Sequence, residues 1–471
     1  MPFSSNYRAD PRILELAPDL SDAVTPAQFP QATLRFRNQR HAARVGMAEL
    51  DPAEWQQYLH TFAPLPGNLA QPLAMRYHGH QFGSYNSNLG DGRGFTFAQV
   101  RDDRDRLLDL GTKGSGRTPY SRGGDGKLTL KGGVREILAT EMLEASGVET
   151  SKTFSVFETG EALFRGDEPS PTRSCVLVRL GHAHLRFGSF QRLAYLRQVD
   201  PMQRLCAYIG RHHLPEVAAV ADSLPSALLH AIVVRSARLC AQWMVAGFVH
   251  GVLNTDNMNV TGESFDYGPF RFLPRCDPQF TAAYFDHNGL YAFGRQPETV
   301  RWNLEMLAAA LTTLAPPEAL APALAEYETA YYDATRTAFF ERLGLQRTNE
   351  AADHGLIASA YAFLLGSPVG YDQFYFDWYG GMASAHRAQA SPAAAFYQGE
   401  AFATWRAALA DFAPSHPERL ALPYFASAQP CTLLIDEVEA LWTPIAERDD
   451  WAPLEAKIAD IRAMGAVWGR G

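Results

Sequence analysis

Apolar residues recur at two different periods along the chain, and the change of period divides it. Up to about residue 72, short helical segments (52–62 among them) are separated by proline-rich turns. From 73 to 126 glycine becomes dense, and alternating runs at 95–100 and 107–113 predict strands bounded by turns. A helix is predicted over 129–146. There Val134, Ile137, Leu138, Met142 and Ala145 fall at helical spacing, and Gly147 is placed to end it. Strand patterns return at 153–158 and 174–180. After about Gln191 the period is helical almost throughout. The run 227–248 is apolar on nearly every side, the mark of a helix inside a core. Further helices are predicted at 302–314, 317–343, 352–365, 400–412, 433–447 and 454–464. No internal repeat or low-complexity linker interrupts the chain. The expected fold class is α+β: an N-terminal extension (1–72), a β-rich part (73–190), a helical part (191–394) and a helical C-terminal extension (395–471).

Composition narrows the function classes. With 471 residues, 46% of them hydrophobic and 12% aromatic, the chain builds a large core without metal or disulfide staples, and disordered or fibrous classes are excluded. The net charge of -9 (42 basic residues against 51 acidic) argues against a nucleic-acid or anionic-membrane partner, both of which need a basic face. It leaves small anionic ligands open, because a few placed cations hold a phosphate. Cys175, Cys206, Cys240, Cys276 and Cys431 are scattered and form no C-x-x-C pair, as expected of reduced, mostly buried thiols in a cytoplasmic protein. Met1-Pro2-Phe3-Ser4-Ser5 has no signal-peptide pattern. The longest weakly polar stretch singled out, around 355–366, is shorter than the ~18 residues of a membrane span.

Four constellations carry candidate chemistry. Leu89-Gly90-Asp91-Gly92-Arg93-Gly94 lets backbone N–H groups approach an anion closely, although a hairpin turn explains such a run equally well on its own. Gly123-Gly124-Asp125-Gly126 is a second loop of that kind. Lys113 ends an apolar strand and reaches outward as a point charge, while Glu136 sits on the following helix beside apolar positions and needs a cationic partner. Strand Lys with helix Glu is the arrangement by which protein kinases hold ATP phosphates. After the apolar helix come His250-Gly251-Val252-Leu253-Asn254-Thr255-Asp256-Asn257 and then Asp266-Tyr267-Gly268. Against the kinase pattern H-R-D-L-x-x-x-N followed by D-F-G, His250, Leu253, Asn257 and Asp266 fall in place. Asn and Asp oxygens on such a loop suit Mg²⁺, a hard cation. Val252 stands where the kinase base belongs and cannot accept a proton. Asp256, beside Asn257, is the substitute carboxylate. Arg179 and Arg186 add forks that bind phosphate bidentately.

Taken in order, His78-Gly79-His80-Gln81-Phe82-Gly83, Leu89-Gly90-Asp91-Gly92-Arg93, Lys113 through Arg122, Asp125-Gly126, Leu185-Arg186-Phe187-Gly188-Ser189-Phe190, the loop His250 through Met258 and Asp266-Tyr267-Gly268-Pro269-Phe270 closely resemble the selenoprotein O family. The resemblance spans roughly residues 70–305. It implies a kinase-like two-lobed fold, a pseudokinase in descent, that binds ATP in the reverse sense and transfers AMP to Ser, Thr or Tyr hydroxyls of proteins. By matching position it implies nucleotide contacts at Gly90, Gly92, Arg93, Lys113, Asp125, Gly126, Arg179, Arg186 and Asp266. It further implies Asp256 as proton acceptor, Asn257 and Asp266 as ligands of Mg²⁺ (or Mn²⁺), and Glu136 as the ion-pair partner of Lys113. Many members carry a cysteine or selenocysteine close to their end, and residues 463–471 contain none. An atypical kinase using Asp256 as base, and an inactive ATP-binding scaffold, are the competing functions.

Overall fold

A computed structural model describes residues 3–166, 168–218 and 223–470; Met1 and Pro2, where the N-terminal reading begins, and Gly471 lie outside them. Among the described residues the strands are β1 (Ser21–Ala23), β2 (Thr33–Arg37), β3 (Leu73–Met75), β4 (Gly79–Gln81), β5 (Ser84–Asn86), β6 (Thr96–Arg101), β7 (Leu107–Lys113), β8 (Leu128–Thr129), β9 (Lys152–Leu163), β10 (Thr172–Gly181), β11 (Phe248–Val249) and β12 (Arg271–Phe272). Eight form one antiparallel sheet in the order β1-β3-β6-β7-β10-β9-β2, with β8 pairing against β10 off that path. β4 and β5 make a separate hairpin, and β11 pairs with β12. The fold class is α+β, as the periods imply.

The sheet is covered on both faces, and β10 shows why. Its Cys175 and Leu177 join the apolar cluster of the Leu130–Ala145 helix, while Val176 and Val178 join Trp55, Leu59, Phe154 and Phe157 on the other side. Thr129 caps the Leu130–Ala145 helix by accepting from the N–H of Gly132 at 3.1 Å, and Gly147, at φ +82°, turns the chain out of it. The same logic ends the Leu224–Ala246 helix: Gly247 adopts φ +67° and its N–H reaches the carbonyls of Met244 and Trp243. That turn delivers the chain into β11 and the loop beginning at His250.

Three expectations change. The 1–72 segment contributes β1 and β2 to the main sheet. Both are short, and β2 is exposed or half-buried with a register shift at Leu34–Phe36, so neither shows alternation. The helix expected over 317–343 is two, Pro317–Ala325 and Tyr327–Leu343, joined at Glu326. Pro322 lacks the N–H that would tie it to the preceding turn, and the second helix then runs along Leu224–Ala246. That central helix, with mean hydropathy 1.2 over its most apolar window, is itself long and apolar enough to cross a membrane, unlike the stretch at 355–366; half of that window is buried within the protein. The C-terminal Ala452–Ala466 helix packs on Leu130–Ala145, where Arg462 grips Glu141 through two bonds of 2.8 and 2.7 Å.

Candidate active site

β7 ends on Lys113, whose ammonium is buried against two carboxylates. It donates to Glu136 of the Leu130–Ala145 helix and to Asp266 at 2.5 Å. Glu136 lies behind the lysine and fixes it. Asp266 sits at φ +65°, an unusual setting for a non-glycine residue, and His250 steadies that turn through Nε2 to the Phe265 carbonyl at 3.1 Å. Burial alone would push the Asp266 carboxyl up, but Lys113, Arg179, Arg93 and Arg186 together hold it well below the usual range.

Antiparallel pairing sets Arg179 of β10 opposite Gly111 of β7, beside Lys113. Arg179 is 6% exposed and its guanidinium lies over the Phe265 ring, yet Nε and Nη1 have no hydrogen-bond partner among the described residues. Arg186 is held more fully: Nη1 donates to the Asp256 carbonyl at 2.8 Å, Nη2 approaches Asp91 at 3.4 Å, and the group rests between the rings of Tyr77 and Phe265. Nε and Nη1 of Arg179, and Nε of Arg186, thus have no acceptor among the described residues.

The short 3-10 turn Thr255–Asn257 carries the carboxylate and the amide. Asp256 Oδ2 accepts from Gln81 at 3.3 Å, while Oδ1 is buried and unpartnered. Burial, only partly offset by Arg186, pushes this carboxyl up to about 6. Asn257 donates its amide nitrogen to the Val252 carbonyl at 2.8 Å, leaving Oδ1 for another partner. The turn is fastened from outside by the β4–β5 hairpin: Thr255 Oγ1 accepts from the His80 N–H, and Asn254 Oδ1 from that of Phe82.

The glycine loops form the opposite wall. A Cβ on Gly90 would stand 2.3 Å from the Tyr120 ring, and one on Gly92 2.7 Å from the Tyr120 carbonyl. Gly126, at φ +70°, leaves no room beside the Gly116 carbonyl, 2.2 Å from where its Cβ would be. These walls enclose a cleft of about 820 Å³ lined by Gly90, Gly92, Arg93, Lys113, Asp125, Gly126, Arg179, Arg186, Asp256, Asn257 and Asp266, with Glu136 just behind. Basic lining residues outnumber acidic ones, although the whole chain is acidic.

Several cleft residues escape sequence reasoning. Arg165 pairs with Asp125 at 2.8 Å, so that carboxylate already has a cation. Gln81 orients Asp256, and Asp91 braces the first glycine loop by accepting from the Met75 N–H at 3.1 Å. Gln81 and Asp91 lie inside quoted motifs, which was the available signal; Arg165 had none.

A family model described as Protein adenylyltransferase SelO matches residues 4–462. The chain is 42% identical to a protein nucleotidyltransferase YdiU of Synechocystis sp., covering 97% of this chain and 98% of that one. It is 47% identical to the protein of the same name from Trichormus variabilis over 79% of this chain and 76% of the other. The one from Vibrio vulnificus is 37% identical, with 66% and 62% covered.

Proposed function

The chain belongs to the SelO family of protein adenylyltransferases, and from that footing we propose that it transfers AMP from ATP to Ser, Thr or Tyr hydroxyls of proteins, releasing pyrophosphate. The observation that carries this reading is the pair of unsatisfied groups in one cleft: Nε and Nη1 of Arg179 call for an anion, and Oδ1 of Asp256 for a proton.

The terminal phosphates hold most of the nucleotide's charge, and Lys113, Arg179 and Arg186 take them. Arg93 and the N–H groups around Gly90, Gly92 and Gly126 line the remaining path. With the tail gripped there, the α-phosphorus comes next to Asp256. The Asp256 carboxylate accepts the proton as the hydroxyl oxygen bonds to the α-phosphorus. The bond from the α-phosphorus to its bridging oxygen breaks, and pyrophosphate leaves with that electron pair against the cations. Gln81 and the Arg186 contact to the Asp256 carbonyl keep the carboxylate in place.

The donor set suits a hard divalent ion. The free Asn257 oxygen and the ionised Asp266 would hold Mg²⁺ or Mn²⁺. When bound, the ion neutralises charge on the phosphate oxygens. Val252 fills the kinase base position with a side chain that cannot take a proton, which favours attack at phosphorus other than the terminal one. We read residues 73–190 and 191–394 as the two lobes of a kinase-like arrangement around this cleft, flanked by extensions 1–72 and 395–471. We place the protein in the cytoplasm, with ATP and proteins, rather than nucleic acid or membrane, as partners.

Incubation with ATP labelled at either the α- or the γ-phosphate tests the reaction. Label on protein from α only is expected, and it is lost in Asp256→Asn. Label from γ only would establish a kinase instead, and label from neither a nucleotide-binding scaffold.

A further inference from the structure

A second cavity, of about 660 Å³, adjoins the cleft and shares Leu89, Tyr120 and Arg122 with it. Among the described residues no carboxylate lines it, whereas Arg122 and Arg192 do. Nη1 of Arg192 is buried without a hydrogen-bond partner. The nearby carboxylate of Asp22 is already taken, by Arg76 and by the Tyr120 hydroxyl. His78, also in the wall, is kept neutral by burial with its proton-binding range lowered to about 4. The groove is therefore cationic on a protein whose net charge is -9. At its rim the rings of Tyr85 and Tyr195 stack at 5.5 Å while 37% and 60% exposed, a flat surface for an extended chain.

The groove opens into the cleft that holds Asp256, through the shared Leu89, Tyr120 and Arg122. His78 lines it, and the next residue, Gly79, abuts Asp256: a Cβ there would stand 2.9 Å from Oδ1 and 3.2 Å from Leu89. A chain lying over Tyr195 and Arg192 is thus directed toward the cleft that holds Asp256.

We propose that this groove docks the acceptor protein, and that it selects a hydroxyl flanked by acidic side chains, which pair with Arg192. The proposal rests on the AMP-transfer reading and adds the class of acceptor. Arg192 makes no hydrogen bond or ion pair with Asp256 or the glycine loops among the described residues, which leaves it to act on specificity.

The test uses the full-length protein, ATP, Mg²⁺ and synthetic peptides that carry one hydroxyl flanked by Glu, Ala or Lys. The wild type is expected to favour the Glu-flanked peptide over the Lys-flanked one by about tenfold or more in kcat/KM. Arg192→Glu reverses that order, and Arg192→Met abolishes it, with the KM for ATP unchanged in both. Should the charge reversal fail to fold, Arg192→Met alone decides. A preference that survives these changes overturns the proposal. So does a rise in the KM for ATP with acceptor preference intact, which would assign the groove to the nucleotide. No AMP transfer by the wild type to any peptide or protein would instead bring down the reading on which the proposal rests, and the proposal with it.

Discussion

Arg179 is a cation removed from water with two nitrogens unsatisfied, a placement that costs folding free energy unless a ligand completes it. Arg179→Met keeps the contact with Phe265 and removes the charge. Its thermal midpoint is expected to equal or exceed that of the wild type, while ATP affinity by calorimetry falls about 10- to 100-fold, the equivalent of ~1.5–3 kcal/mol for charged hydrogen bonds. A destabilised variant that binds ATP normally would show the arginine to be structural. The Lys113–Glu136 pair was legible in the sequence, because a carboxylate among apolar helical positions demands a cation and a strand-end lysine precedes it. The Arg165–Asp125 pair was not, since no local pattern joins a loop residue to an arginine in the turn after β9. The unpartnered state of Arg179 is a tertiary fact that no sequence pattern encodes.

Among the elements, the second glycine loop is sharply constrained at Gly126. Gly126→Ala asks an L side chain to hold φ +70° against the Gly116 carbonyl. The expected loss is about 1–2 kcal/mol of stability for the backbone alone, plus weaker ATP binding as the loop shifts, read by denaturant melts and calorimetry. Unchanged ATP affinity would remove this loop from the nucleotide site. Elements with a strong period are legible in the sequence: β7 matches 107–113 end to end, and 129–146 differs from Leu130–Ala145 by one residue at each end. What failed had weak or interrupted periods. β1 and β2 are too short to alternate, and the break at Glu326 depends on how Tyr327–Leu343 packs along its neighbour.

At the scale of the whole molecule, the C-terminal helices fold back on the helix that carries Glu136, through Arg462 with Glu141 and Lys131 with Glu439 at 2.7 Å. Nothing in the sequence of residues 395–471 announces that contact, since both partners look like ordinary exposed charges there. Long-range packing also shifts titration. Burial raises the Glu263 carboxyl to about 7, only partly relieved by Lys152, the His182 N–H and Arg106. Folding therefore favours its protonated form, so stability falls as pH rises from the ordinary carboxylate range through about 7. Glu263→Gln is expected to remove that decline, on the order of 3 kcal/mol, in urea melts across this window; parallel curves for both proteins would contradict it. The central claim concerns the direction in which the triphosphate lies, and a crystal structure of the complex with a non-hydrolysable ATP analogue and Mg²⁺ tests it most directly. The terminal phosphate is expected against Lys113 and Arg179, with the α-phosphate nearest Asp256. An adenine ring beside Lys113, with the terminal phosphate at the cleft mouth, would contradict it.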